Sequence, residues 1–361
     1  MWEKLILPEG FDVEGRSVKQ TKDGGYIVAG EKGFDSQSAE QIFLSKLDAS
    51  GKVLWKKLYG SFMAADAVIE ASDGGYVVVG GKERFLALLK FDSKGSLVFQ
   101  KSYAIDESQY GYDVKQTTDG GYVIVGYSDT YFGGVRDQVY IIKVDKMGQK
   151  LWEKRYGGNG TEVGCSLALT KDGSYIVAGY GIDQNSTYYI YLLKLNSGGS
   201  LSWQKKIYCK GFNSLANKVS LTKDGGIILV GKAYTSSCEY VYVVRTDSMG
   251  NLVWKRRYLK DSIWSSEGTA VHQLPDGTYV VAGGTKRQAF LMKLDSNGGQ
   301  LWCKLYGGVS VEYAKDMQVT ADGFILAGVT YSHQYYYQDP IVYLIKTDIK
   351  GVTIRNPDIA R

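Results

Sequence analysis

The chain has 361 residues, 44% hydrophobic and 22% charged, with 45 Gly, 29 Tyr and only 4 Pro, which excludes disorder, a collagen-like fibre and a disulfide-stapled miniprotein and requires a large core. Its 43 Lys and Arg exceed its 38 Asp and Glu by five, with no block of like charge, so nucleic acid is not expected as a partner. No apolar run approaches the roughly 20 residues of a membrane-spanning helix, and membrane insertion is not expected either.

The chain opens MWEKLILPEG, without the basic region and long apolar stretch of a signal peptide. If Met1 is native, the expected location is cytoplasmic; if it replaces a cleaved leader, extracytoplasmic. The first repeating unit follows. A short strand at Val18–Thr21 (VKQT) precedes Asp23-Gly24, and an apolar strand (YIVAG, Tyr26–Gly30) follows it; then come IFLSKLD (Ile42–Asp48) and KVLWKKLY (Lys52–Tyr59). Short runs rich in Val, Ile, Tyr and Leu, bounded by Gly and Asp and without helical periodicity, predict four strands and hairpins.

Asp-Gly returns at Asp73, Asp119, Asp172, Asp224, Asp276 and Asp322, with a period of 46 to 53 residues. Each glycine suits a tight turn that needs positive φ. A phosphate loop would lead into a helix, and every DG here leads into a strand. The second turn is a DxxGxxxW pattern: Asp48, Gly51, Trp55; Asp145, Gly148, Trp152; Asp247, Gly250, Trp254; and Asp295, Gly298, Trp302, with Asn196 and Phe99 as single departures. The last repeat has Arg355 where Trp is due, whereas Trp2 in WEKL matches Trp152 in WEKR.

Seven four-stranded units with a period near 50 predict an all-β, seven-bladed β-propeller of antiparallel blades, one domain spanning residues 1–361. Blades 1 to 7 are expected to begin near residues 15, 65, 111, 164, 216, 268 and 314. Residues 1–7 are expected to supply the outer strand of blade 7, which leaves no open edge between blades.

The repeat xTxDGGYIVAG followed by IxLSKLDxxGxxxWxKxYG resembles the propeller repeats of many prokaryotic proteins, often extracytoplasmic ones. Its DGGY and W elements resemble kelch repeats. Leu47–Trp55 (LDASGKVLW) is similar to the tryptophan-docking motif of quinoprotein-like propellers, with the glycine one residue sooner after the Asp. The resemblance implies the fold and not a site, because the matching residues shape turns and pack blades.

Several chemistries lack their residues. The four cysteines (Cys165, Cys209, Cys238, Cys303) fall at no common repeat position, so neither zinc nor a disulfide framework is read from them and free thiols are expected. No calcium loop or adjacent cysteine pair is present, and neither metal nor cofactor is expected. Histidine chemistry is limited to His272 and His333. His272 occupies an inner-strand position held elsewhere by Lys19, Ile69, Lys115, Ala168, Ser220 and Gln318, a set suited to an axial channel; Lys19, Lys115, His272 and Gln318 are its polar members. No catalytic residue is assigned. A basic residue two positions before the strand-three Asp or Asn (Lys46, Lys90, Lys143, Lys194, Arg245, Lys293 and Lys346) is expected to pair with a carboxylate in its own or the adjacent blade.

In an up-and-down blade the DG and DxxG turns share one face, and the longer, unequal connections share the other, where recognition is grafted onto a rigid scaffold. The variable segments carry Tyr110, Tyr112, Tyr131, Phe132, Tyr188, Tyr189, Tyr234, Trp264, Tyr335, Tyr336 and Tyr337. Aromatic rings with polar tips suit binding surfaces, although the same rings serve to cap blade ends. The expected function is a non-enzymatic, monomeric scaffold that binds a protein or glycan through this face. The alternatives are an enzyme with an axial-pocket site, quinoprotein-like or carbohydrate-active, and a structural component of a surface assembly.

Overall fold

The computed structural model describes residues 1–6, 12–33, 40–60, 63–82, 84–103, 108–129, 137–158, 160–261, 266–307, 311–331 and 340–354. Among them, 28 strands form seven four-stranded antiparallel sheets, and no helix is present. Six sheets take four consecutive strands; blade 1, for example, is Val13–Gln20, Tyr26–Lys32, Gln41–Leu47 and Val53–Tyr59. Blade 7 is composite. Glu312–Thr320, Gly323–Thr330 and Ile341–Asp348 are completed on the outside by Trp2–Ile6, which pairs antiparallel with the last of them, Trp2 facing Lys346 and Ile6 facing Val342.

The core consists of seven layers between blades. One layer joins Ile27, Ala29, Ile42 and Leu44 of blade 1 to Val68, Tyr76, Val78 and Leu89 of blade 2, and the series runs round to a layer joining Ile325, Ala327, Val342 and Leu344 of blade 7 to Val18, Val28 and Phe43 of blade 1. Both faces of each blade are covered, so the second and third strands are apolar without strict alternation. The ring is closed by packing as well as by hydrogen bonds.

The repeat residues explain the joints. The Trp or Phe at the repeat position of each outer strand lies over the DxxG glycine of the next blade: Trp2 over Gly51, Trp55 over Gly95, Phe99 over Gly148, Trp152 over Gly199, Trp203 over Gly250, Trp254 over Gly298 and Trp302 over Gly351. A Cβ at any of these glycines would stand 2.5–3.1 Å from the ring, and each glycine also has positive φ. The outer-strand tyrosines add a second joint. The Tyr103 and Tyr306 hydroxyls donate to the Gly148 and Gly351 carbonyls at 2.7 Å, and Tyr59, Tyr156 and Tyr258 make the equivalent bonds.

The strand-three cations reach the DG-turn carboxylate of their own blade. Lys46, Lys90, Lys143, Arg245, Lys293 and Lys346 stand 2.6–3.0 Å from Asp23, Asp73, Asp119, Asp224, Asp276 and Asp322. Asp172 of the seventh turn is held low by the Thr170 hydroxyl and the Ser174 N–H, with Lys194 a lesser pull. The cations are largely buried and the carboxylates face solvent, so each pair ties a turn to the blade beneath it.

Candidate functional site

The inner strands (Val13–Gln20, Ala67–Glu70, Ser108–Gln116, Thr161–Leu169, Asn213–Leu221, Glu267–Gln273 and Glu312–Thr320) wall an axial channel. Six of them carry a β-bulge at the same repeat position, whose extra residue is Arg16, Tyr112, Cys165, Asn217, Thr269 or Lys315. In blade 2 Asp66 takes this place: its N–H bonds to Val79, which Ala67 also faces. A bulge turns one side chain out of the regular alternation. All seven of these residues line one cavity of about 380 Å³ on the side of the variable connections.

Glycine in the facing strand makes room for each bulge. It is Gly30, Gly80, Gly126, Gly179, Gly231, Gly283 and Gly328, the last residue of each YIVAG-type run, and a Cβ there would overlap a carbonyl oxygen of the inner strand, such as Glu14 for Gly30 or Tyr110 for Gly126. The frame repeats and the side chains it presents do not. Sequence reading missed this ring, although the glycine that recurs inside an apolar strand was its signal.

Several bulge residues reach across to the inner strand of the next blade. Arg16 donates to Asp66 at 2.8 Å and pairs with Glu31, with Glu14 3.8 Å away. The Asn217 side chain donates to the Gly268 carbonyl at 3.0 Å, and the Thr269 hydroxyl to that of Ala314 at 2.9 Å. Three carboxylates thus share one guanidinium. Burial, which outweighs the pull of Arg16, with added repulsion from Asp66 and Glu14, pushes the Glu31 carboxyl up to about 7. Burial also raises the Cys165 thiol to about 12, which leaves it protonated.

Beside the cavity, tyrosines from three blades form an arc. Tyr110, Tyr112 and Tyr127 of blade 3 lie 5.2–6.1 Å apart, centroid to centroid. Tyr188 stacks on Tyr180 at 5.8 Å and meets Tyr234 of blade 5 at 6.0 Å. Tyr110, Tyr112, Tyr188 and Tyr234 therefore come together, joined by Tyr127 and Tyr180, which sequence reading did not select. They sit on strands and not on loops.

Tyr189 departs from the sequence expectation. It is fully buried in the layer between blades 3 and 4, its hydroxyl donating to Glu162 at 2.8 Å. Successive strand residues face opposite ways, so Tyr188 and Tyr189 cannot share a surface. Tyr131, Phe132, Trp264, Tyr335, Tyr336 and Tyr337 lie outside the described residues.

Toward the DG turns the channel widens again into a hollow of about 430 Å³, and Lys19, Lys115, His272 and Gln318 all line it. Burial lowers the His272 imidazole to about 4; it is neutral near pH 7, and its Nε2 lies 3.2 Å from the Met317 carbonyl. Between the two hollows stand Asp316 and Lys218, which line both. Among the described residues, no group of three His, Cys, Asp or Glu side chains is placed to hold a metal.

Closed ring, four-stranded blades and channel define the protein as a seven-bladed β-propeller. A family model described as a domain of unknown function (DUF5122) beta-propeller matches residues 170–201. No curated protein matches the chain. Solved structures with a similar fold include virginiamycin B lyase from Staphylococcus aureus, in a catalytically inactive form with quinupristin (11% identity over 95% of this chain and 98% of that one, TM-score 0.59). Puromycin hydrolase is similar at 14% identity over 97% of this chain and 55% of that one, TM-score 0.59. Sqt1 from Chaetomium thermophilum is similar at 11% identity over 98% and 85%, TM-score 0.55. At such identities the likeness is one of fold.

Proposed function

We propose that this protein is a non-enzymatic binding scaffold that recognises a protein or glycan at the variable-connection end of its channel. The observation that carries the reading is the bulge ring, in which a repeated backbone device presents seven chemically different groups, Arg16, Asp66, Tyr112, Cys165, Asn217, Thr269 and Lys315, to one cavity. Turns, joints and interblade layers are built from residues that recur from blade to blade, whereas the bulge position changes chemical type in every blade. The tyrosine arc supplies contact area with little entropy to lose, and charges of both signs supply orientation.

Paired glycan and peptide arrays probed with the wild type, Tyr112→Ala and Tyr188→Ala test this reading. Binding to a defined set, lost in both variants, supports it and tells glycan from peptide; a set that both variants still bind refutes the site.

A second reading, an axial-pocket enzyme acting on carbohydrate or carrying quinoprotein-like chemistry, draws support from Glu31. A carboxyl that holds its proton near neutrality next to a cavity is the kind of group acid–base catalysis uses. Turnover of a polysaccharide panel that disappears in Glu31→Gln supports that reading over the first.

A further inference from the structure

The two halves of the channel differ in charge. Around the bulge ring, Arg16, Lys218 and Lys315 face Asp66, Glu267 and Asp316, and the lining is balanced. The half toward the DG turns is not. Lys19 of blade 1, Lys115 of blade 3 and Lys218 of blade 5 project into the axis from alternate blades, and two carboxylates, Asp113 and Asp316, answer all three.

The distances show how the charges are shared. Lys115 stands 2.9 Å from Asp113, Lys218 stands 3.4 Å from the other oxygen of Asp113, and Lys19 pairs with Asp316 at 2.5 Å. Their remaining capacity is spent on the frame. Asp316 also accepts from the Ser17 hydroxyl and the Val18 N–H, and Asp113 from the Ser166 hydroxyl and the Leu167 N–H, at 2.9–3.1 Å. His272 brings no charge. Three lysines against two carboxylates leave one more basic group than acidic, on side chains still 21–28% exposed, and burial, with repulsion from Lys218 and Lys19, lowers Lys115.

Repeat geometry does not require this charge. The positions equivalent to Lys115 and Lys19 are Ile69, Ala168, Ser220, His272 and Gln318, and those equivalent to Lys218 include Ser17, Ala67, Ser166 and Ala270. A part-buried basic cluster with one carboxylate too few is stabilised by an added anion. Next to it lies the hollow of about 430 Å³, within the roughly 300–1,000 Å³ of small-molecule sites. Its apolar lining comes from the half-buried Leu169 and Leu221, flanked by the edges of the core residues Leu167, Ala168 and Val219.

We propose that the turn-side half of the axial channel is a binding site for a small organic carboxylate, whose anionic group is received by Lys115, Lys218 and Lys19 and whose hydrocarbon part lies against Leu169 and Leu221. The surplus charge selects an anion, and the apolar wall selects a tailed one over a bare oxyanion. This site shares Lys218 and Asp316 with the bulge-ring cavity but opens toward the turns, and it stands whether or not a macromolecule binds at the ring.

Isothermal titration of the full chain with octanoate, 1-octanol and inorganic phosphate tests the proposal. Octanoate is expected to bind at least about tenfold more tightly than either control. Lys115→Met is expected to weaken octanoate by about tenfold or more, Lys115→Arg by no more than about threefold. Ser220→Phe, which fills the hollow from a half-buried wall position outside the core layers and leaves every charge in place, is expected to abolish binding, so the proposal remains testable if Lys115→Met fails to fold. Absence of octanoate binding by the wild type, or binding undiminished in both Lys115→Met and Ser220→Phe, overturns the site. Phosphate binding as tight as that of octanoate overturns the assignment of a tailed carboxylate.

Discussion

Trp2, in the first strand of the chain, meets Tyr26 of blade 1 edge-on at a centroid distance of 5.9 Å. Trp55 and Tyr76, Trp152 and Tyr175, and Trp254 and Tyr279 repeat the contact at 5.9–6.0 Å between later blades. The joint between the chain's two ends is therefore an ordinary blade joint. Trp2→Ala should cost about 2 kcal/mol, roughly half the usual loss for a core Trp because Trp2 is only half-buried, and should lower the melting temperature by a few degrees. Removal of residues 1–7, which also strips blade 7 of its outer strand, should lower it much further. Thermal unfolding of both variants checks the pair, and a deletion variant that melts with the wild type contradicts the closure.

The DG-turn carboxylates make the propeller acid-sensitive. Hydrogen bonds from Lys143 and Thr117 hold Asp119 at about 2, and those from Thr278 and Lys293 hold Asp276 at about 2. Asp23 also settles at about 2, because Thr21, Lys46 and the Gly25 N–H outweigh the upward pull of burial. Each folded value lies below the unfolded value of about 3.9, so the unfolded chain binds more protons between pH 4 and 2. Stability is fully present above pH 4 and drains as pH falls toward 2. Urea midpoints should fall steeply over that window, and less steeply in Asp119→Asn.

Glu31 acts in the opposite sense. Its folded value, raised to about 7 from an ordinary 4.5, means that the folded chain holds the extra proton between pH 4.5 and 7. Its contribution is present below 4.5 and fades as pH rises to 7. Glu31→Gln should therefore flatten the decline in urea midpoint from pH 5 to 8. A decline identical to that of the wild type would show that the carboxyl is not held protonated.

One bulge separates frame from payload. Gly328 faces the bulge that presents Lys315, and its Cβ would meet the Tyr313 carbonyl oxygen. Gly328→Ala should cost about 3 kcal/mol through overpacking against backbone, whereas Lys315→Ala should stay within about 0.5 kcal/mol. Equal losses in chemical denaturation of the two variants would contradict the division.

Much of this architecture is legible in the sequence, because turn and joint residues repeat: Asp23-Gly24, Gly51 and Trp55 have no role that varies between blades. Trp2 disclosed the closure by matching Trp152. The site was less legible, since a recognition ring is defined by residues that do not repeat. Tyr112 stands out in the sequence as an aromatic, but Arg16, Asp66 and Cys165 share nothing with it except position, and the bulge that unites them is a backbone event. Asp113 and Asp316 were passed over for a similar reason: each looks like an isolated strand carboxylate until the ring brings it beside lysines about 100 residues or more away, Lys218 for Asp113 and Lys19 for Asp316.

The central claim, that recognition resides in the side chains the bulges present, is tested most directly by titrating the double variant Tyr112→Ala/Lys315→Ala with a ligand that the arrays identify for the wild type. Affinity should fall by about a hundredfold with thermal unfolding lowered by only a few degrees. A double variant that binds as tightly as its parent would place recognition away from the channel mouth.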